Sequence, residues 1–331
     1  MRAGLRLDGV EYAVNAGESV LDTLLRHGVA IPHACRRGVC QACLLRSLDA
    51  PPGLAEAQHG LRDTLRQQGF FMACQCTAGP ALDLALPLPT ELFQSARLIH
   101  SEALSATVQC LRLRPSQALP HQAGQFLNLR RSDGLVRSYS IASVPALDPY
   151  VELHVQRRQG GAMSQWLADG LQVGESIDIA GPNGECFYLP GRAEQPLLMI
   201  ATGTGAAPLL GIARSALSNG HTGAIHFYHG SSSEAGLYCR AQLLEIAARA
   251  QNFQAHLCVS GADAPATFEA GRAHDIALRQ HAELSGFRVF LCGLPEMVNS
   301  AKRMAYLHGA AMQDIYADPF ENKDLRLTAR S

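Results

Sequence analysis

The sequence predicts a multidomain chain that joins an α+β unit, an antiparallel β-barrel and a parallel α/β unit. Three observations carry that prediction. Four cysteines, Cys35, Cys40, Cys43 and Cys74, stand in an unequal spacing near the N-terminus. Between residues 97 and 189, short strand-like runs follow one another at turn spacing with little helix. After residue 195 strand and helix patterns alternate, as they do where parallel strands are joined by crossover helices. The chain has 331 residues, room for two or three ordinary domains. The boundaries read as 1–90, 97–190 and 195–331.

In the first unit, strands over 4–8 and 11–14 flank Asp8-Gly9, a dipeptide suited to a tight hairpin turn. A helix over 19–28 places Val20, Leu21, Leu24 and Leu25 on one face. The loop His33-Ala34-Cys35-Arg36-Arg37-Gly38-Val39-Cys40-Gln41-Ala42-Cys43 comes next. Cys74 arrives after a polar segment, and 82–86 reads as a closing strand. Pro87-Leu88-Pro89-Thr90 reads as a linker, because two prolines disfavour helix and stiffen a connection.

The cysteines are separated by four residues, then two, then thirty, which is the plant-type ligand spacing of a 2Fe–2S cluster. Three thiolates on one tight loop and a fourth from a distant segment can surround two bridged irons. The small residues of the loop let backbone N–H groups turn toward the sulfurs, where such bonds help set a cluster's potential. Structural zinc sites usually use two short cysteine pairs, and here only Cys40 and Cys43 make one. Ten cysteines in 331 residues, with no signal-peptide pattern, do not suggest a disulfide framework. Cys74 and Cys76 flank Gln75. Cys74 is preferred as the fourth ligand, with Cys76 the alternative.

In the second unit, strands are expected over 97–104, 107–113, 125–129, 137–141, 151–156 and 176–179, with one helix over 164–171. That set suits a small antiparallel barrel. Within it, Arg137-Ser138-Tyr139-Ser140 puts Arg137 and Tyr139 on one face of a strand. Such a pair can hold a phosphate and cover a planar ring together. Taken alone, the tetrapeptide equally describes a half-buried strand. The later run Gly160-Gly161-Ala162-Met163-Ser164 opens a helix, whose N–H groups suit a pyrophosphate.

In the third unit, strands are expected over 197–201, 224–228, 254–259, 288–292 and 314–316, and helices over 206–217, 240–250, 273–281 and 295–308. Ala201-Thr202-Gly203-Thr204-Gly205-Ala206-Ala207-Pro208 lies where the first strand turns into the first helix. Glycines there let a backbone approach a dinucleotide pyrophosphate. Pro208 occupies the place of the third glycine in G-x-G-x-x-G. Cys292-Gly293 ends a later strand at the carboxyl edge of the sheet, where open α/β sheets bind ligands. A buried core thiol is the plain alternative for Cys292.

The formal net charge is −1, which argues against a nucleic-acid binder. Residues 196–213 lack charge but contain Gly203, Gly205, Pro208 and Gly211, so they break into strand, loop and helix and do not form a spanning helix of about 20 apolar residues. A soluble cytoplasmic protein without membrane insertion is expected.

With these segments in order, the chain resembles the reductase components of bacterial multicomponent oxygenases over nearly its full length. The resemblance implies a β-grasp 2Fe–2S ferredoxin domain, an FAD-binding barrel and an NAD(P)H-binding α/β domain. It implies that Arg137 contacts the FAD phosphates, Tyr139 packs on the isoalloxazine and Ser140 lies near flavin N5. Ser138, His154 and Val155 join the expected cofactor-binding residues. Gly161, Met163 and Ser164 match the FAD pyrophosphate segment, and Gly181-Pro182-Asn183-Gly184 matches the turn closing the barrel. Thr202, Gly203, Thr204 and Gly205 match the nicotinamide nucleotide loop, and Cys292-Gly293 the pair beside the nicotinamide. Phe320 resembles the C-terminal aromatic that shields the flavin, with residues 321–331 running on past it. Hydride transfer needs its two carbon and nitrogen centres at about 3–3.5 Å, and Ser140, Cys292 and Phe320 are expected to govern that approach.

The implied activity is electron transfer from NADH through FAD and the cluster to a separate terminal protein, an oxygenase. The alternatives are the same chain serving a client such as deoxysugar dehydration, or a redox sensor that does not turn over. NADH is preferred to NADPH because His229-Gly230-Ser231-Ser232-Ser233-Glu234 follows the second strand, with no basic residue but histidine before Arg240. Arg36 and Arg37 beside the cluster could dock an acidic partner, or could be plain solvated surface.

Overall fold

The computed structural model describes residues 4–49, 54–61, 63–78, 82–261 and 265–320. In the first unit β1 (Gly4–Leu7) and β2 (Val10–Ala13) form the expected hairpin. Asp8 and Gly9 both take positive φ, 49° and 83°, as a two-residue turn of this hand requires. Helix α1 (Val20–Arg26) starts at Ser19, whose hydroxyl accepts from the Asp22 N–H at 3.0 Å, satisfying one of the free donors of the first turn. Strand β3 (Leu44–Ser47), short helices α2 (Leu54–Ala57) and α3 (Asp63–Gln67), and strands β4 (Phe70–Met72) and β5 (Leu82–Ala85) complete the unit. The sheet order is β2-β1-β5-β3-β4, with β1 and β5 parallel. Val20, Leu21 and Leu24 of α1 pack on it with Leu5, Leu45, Phe71 and Leu84. Part of the expected linker is instead helix α4 (Pro89–Leu92). Proline is tolerated in a helix's first turn, where its missing N–H has no partner to lose.

The second unit is a six-stranded antiparallel barrel of β6 (Gln94–Ala103), β7 (Val108–Pro115), β8 (Phe126–Arg130), β9 (Val136–Ser140), β10 (Val151–Gln156) and β11 (Ser176–Asn183). Their order is β10-β7-β6-β11-β8-β9, and a bridge from Ile141 to Leu153 joins the two ends. Leu98, Leu111, Leu127, Leu129, Leu153 and Ile179 fill its interior. The helix expected over 164–171 is present over 162–170, with its second half wound more widely. Helix α5 (Ala162–Gln165) passes into a wider π-turn over Trp166–Gly170. Gly161 has no side chain to cap the start, and a Cβ at Gly170 would press on the Trp166 ring at 2.6 Å.

The third unit is a parallel sheet in the order β15-β14-β13-β12-β16-β17. Its strands are β12 (Leu197–Thr202), β13 (Ile225–Ser231), β14 (Phe253–Val259), β15 (Glu269–Ala270), β16 (Arg288–Gly293) and β17 (Ile315–Pro319). Helices α6 (Ala206–Ser218) and α7 (Arg240–Arg249) bury Leu209, Ile212 and Leu243 on one face. Helices α8 (Ala273–Gln280) and α9 (Pro295–Leu307) bury Ile276, Ala277 and Val298 on the other. Two-sided burial explains the unbroken apolar runs of β12 and β16. Arg288 is fully buried and donates to the carbonyls of Leu189 at 2.7 Å and Arg192 at 3.1 Å, tying the barrel's exit segment to the sheet.

Candidate active site

The cysteine loop folds as its sequence suggests. Arg36 and Gln41 adopt left-handed backbone, each with φ of 53°, and the turns aim main-chain donors at sulfur. The N–H groups of Arg37, Val39 and Cys40 donate to Cys35 Sγ at 3.3, 3.4 and 3.3 Å. Cys35 N–H donates to Cys40 Sγ at 3.4 Å, and Gln75 Nε2 to Cys74 Sγ at 3.3 Å. The four thiols fall into two interacting pairs, Cys35 with Cys40 and Cys43 with Cys74. The Cys40 thiol, then the N–H groups of Arg37, Cys40 and Val39, pull the Cys35 thiol down to about 5. Cys43, then Gln75 and the Gly38 N–H, hold Cys74 at about 6, while Cys40 and Cys43 are pushed up by the thiol each faces. All ten cysteines are free thiols. Four convergent sulfurs met by N–H donors fit an iron–sulfur cluster, whose cysteines bind as thiolates. Cys76 is elsewhere: it is buried, and its Sγ approaches the Thr77 carbonyl.

On the barrel, β9 pairs with β8 so that Ser138 lies opposite Asn128 and Tyr139 opposite Leu127. Arg137 and Tyr139 therefore share the face of Leu127 and Leu129, as the alternation predicts, and Ser138 and Ser140 share the other. Burial pushes the Tyr139 hydroxyl well up. Ser140 Oγ donates to Asp318 Oδ2 of β17 at 2.9 Å. Burial raises the Asp318 carboxyl to about 6, opposed by that hydroxyl. Met163 and Ser164 are buried at the start of α5, where Ser164 Oγ donates to the Gly161 carbonyl at 3.2 Å. The His154 ring is turned to Tyr238 Oη at 3.0 Å and Glu152 Oε1 at 3.2 Å, and Val155 lies in the barrel core. Their backbone is what these two residues can offer a ligand.

In the nucleotide unit, β12 ends at Thr202, a 3₁₀ turn spans Gly203–Gly205, and α6 begins. Gly205 is required by close approach: a Cβ there would lie 2.2 Å from the Cys292 carbonyl oxygen. Gly293, at φ of 126°, has Thr202 as close on its other side. Thr202 Oγ1 accepts from Leu294 N–H at 3.0 Å, and Phe320 N–H donates to the Gly293 carbonyl at 2.8 Å. Cys292 is fully buried, 3.7 Å from Cys186 Sγ, and burial pushes its thiol well up. Ser140, Asp318, Cys292, Gly293 and Phe320, from two units and three segments, thus meet at the seam between barrel and sheet. Tight glycine cradles and a half-buried serine–acid pair at that seam fit a flavin facing a dinucleotide. Asp318 is a member that the sequence reading missed; its signal is one acid inside the strand Ile315–Pro319. Residues 321–331 lie outside the described residues.

An iron–sulfur loop, a flavin-type barrel and a nucleotide-binding sheet on one chain define a nicotinamide-dependent iron–sulfur flavoprotein reductase. Family models agree by segment. A 2Fe–2S iron–sulfur cluster binding domain matches residues 5–79, an oxidoreductase FAD-binding domain 95–188 and an oxidoreductase NAD-binding domain 199–303. The reductase component of a naphthalene 1,2-dioxygenase system from Pseudomonas putida is 30% identical over 312 residues, covering 92% of this chain and 94% of that one. The reductase subunit of an aromatic O-demethylase from Amycolatopsis sp. is 33% identical over 322 residues, covering 91% and 93%. The crystal structure of an Amycolatopsis cytochrome P450 reductase superposes with a TM-score of 0.69 at 26% identity, covering 96% of this chain and 98% of that one. The chain belongs to the ferredoxin–NAD(P)+ reductase components of oxygenase systems. It is an NAD(P)H-dependent oxidoreductase with FAD and a 2Fe–2S cluster as cofactors. Among the described residues no helix is long and apolar enough to cross a membrane.

Proposed function

We propose that the chain takes electrons from NADH and delivers them, through FAD and then the 2Fe–2S cluster, to a separate terminal oxygenase in the cytoplasm. FAD, when bound, accepts a hydride and releases its electrons singly, and the cluster carries one electron at a time. Cys35, Cys40, Cys43 and Cys74 would hold the cluster. Arg137 and the Gly161–Ser164 turn would hold the FAD phosphates, with Tyr139 against the ring. Thr202, Gly203, Thr204 and Gly205 would receive the dinucleotide pyrophosphate. Ser140 and Cys292 would border the nicotinamide, with the Phe320 ring covering the seam when it is absent. The observation that carries this reading is the Ser140–Asp318 hydrogen bond, which joins the flavin motif to the strand that leads into Phe320.

NADH is favoured because Arg240, the first arginine after the second strand of the sheet, is occupied. Its Nη1 meets Glu234 Oε1 at 2.9 Å and its guanidinium lies over the Phe268 ring. An oxygenase client is supported by the relatives, which are named as components of dioxygenase and O-demethylase systems. Anaerobic titration with NADH should bleach the yellow flavin absorbance and produce the paramagnetic signal of a reduced two-iron cluster. kcat/KM should favour NADH over NADPH, and cytochrome c should be reduced in the same assay. A protein that takes hydride but leaves its cluster oxidised would remove the relay from this reading.

A further inference from the structure

Asn128, on β8, is 3% exposed and sits between the iron–sulfur loop and the flavin strand. Both ends of its amide are used. Nδ2 donates to the backbone carbonyl of Cys40 at 2.8 Å, and Oδ1 accepts from Ser138 Oγ at 2.7 Å. The orientation is fixed by chemistry, since a main-chain carbonyl can only accept and so must face the NH₂ end. Ser138 is the cross-strand partner of Asn128 and stands between Arg137 and Tyr139. The bonds therefore run without a break from the flavin motif, through one amide, to the backbone of a cluster cysteine.

The buried tie has open space on one side. A cleft of about 310 Å³ opens beside it, lined by Ile31, Pro32 and Gln41 of the first unit and by Asn128, Arg130 and Asn183 of the barrel. Apolar packing alone does not fix the two units where the cleft lies, whereas a pair of directional bonds to one buried amide can. Buried amides are kept only with their partners satisfied, and here the two partners belong to two different units.

We propose that Asn128 is a positioning residue for electron transfer, holding the Cys40 backbone, and with it one cluster thiolate, against the flavin-bearing strand. This rests on the proposed relay from FAD to the cluster within one chain. The test uses the full holoprotein and the variant Asn128→Asp. Aspartate has the same size and still accepts from Ser138, but it loses the donor to Cys40 and sets a carboxylate oxygen against a carbonyl. In anaerobic stopped-flow with NADH, flavin reduction should stay within twofold of wild type while the following reduction of the cluster slows at least tenfold. Iron content and the cluster's paramagnetic signal should be unchanged.

A wild-type rate of cluster reduction in Asn128→Asp overturns the proposal. If that variant does not assemble its cluster, the shorter, uncharged Asn128→Ser is read by the same criterion. Failure of assembly in both would overturn the proposal in favour of a purely structural role. A wild-type protein whose reduced flavin never passes electrons to the cluster would instead refute the relay itself.

Discussion

Replacing Asp318 by asparagine removes a charge that the fold keeps from water. Burial moves this carboxyl from its ordinary 3.8 to about 6, with the Ser140 hydroxyl pulling the other way. Between those values the unfolded chain has released the proton while the folded chain still holds it. Stability from this group is thus complete below about pH 4 and is lost as pH rises through about 6. The gap of about two pH units corresponds to about 3 kcal/mol, an upper bound because part of the residue still meets solvent. Much of that is spent below pH 5, so about 1.4 kcal/mol separates pH 5 from pH 8. Asparagine never ionises and still offers an oxygen to Ser140 Oγ. Urea unfolding of the holoprotein, followed by Trp166 emission and by the fluorescence of released FAD, measures the difference. The variant should gain on wild type by about 1.4 kcal/mol from pH 5 to pH 8. A gap that stays constant across that range would refute the reasoning, because it would mean Asp318 is ionised in both states.

Three further outcomes follow from the same geometry. Cys74→Ser should abolish the two-iron absorbance and iron content, while Cys76→Ser should retain both at a cost of about 1 kcal/mol in stability; equal loss in the two would return Cys76 to the ligand set. Gly205→Ala drives a Cβ into the Cys292 carbonyl at 2.2 Å, so it should cost about 1–3 kcal/mol and raise KM for NADH at least tenfold, read by thermal unfolding and steady-state kinetics. Cys292→Ala should slow NADH reduction of the flavin in stopped-flow; wild-type speed would remove Cys292 from the hydride site.

The iron–sulfur unit was legible because metal chemistry fixes cysteine spacing, and the sheet because two-sided burial leaves long apolar strands. Strands β3 and β4 were not. Phe70, Phe71 and Met72 are all buried, so the run has no alternation and reads equally as buried helix. The period of two placed Arg137 and Tyr139 on one face of a strand, and the resemblance of the whole chain, with the later Gly160–Ser164 segment, singled that strand out. Asn128 and Asp318 escaped for the opposite reason. Each is a polar residue inside a mainly apolar strand, and what makes it significant is a partner 88 or 178 positions away. The preference for Cys74 over Cys76 came from the spacing; in the fold the Cys74 sulfur faces Cys43, and that of Cys76 approaches the Thr77 carbonyl.

Strand β9 carries bonds that reach both of the other units. Its alternation commits Arg137 and Tyr139 to one face and Ser138 and Ser140 to the other. The two serines then diverge in partner. Ser140 reaches Asp318 at the nucleotide unit, and Ser138 reaches Asn128, which holds Cys40 of the iron–sulfur unit. One strand therefore ties the barrel to the nucleotide unit at Ser140 and, through Asn128, to the iron–sulfur unit two residues earlier. A register slip of one residue would exchange the faces and break both ties together. The β8–β9 ladder, the most local element of the site, thus fixes where both ties leave the barrel.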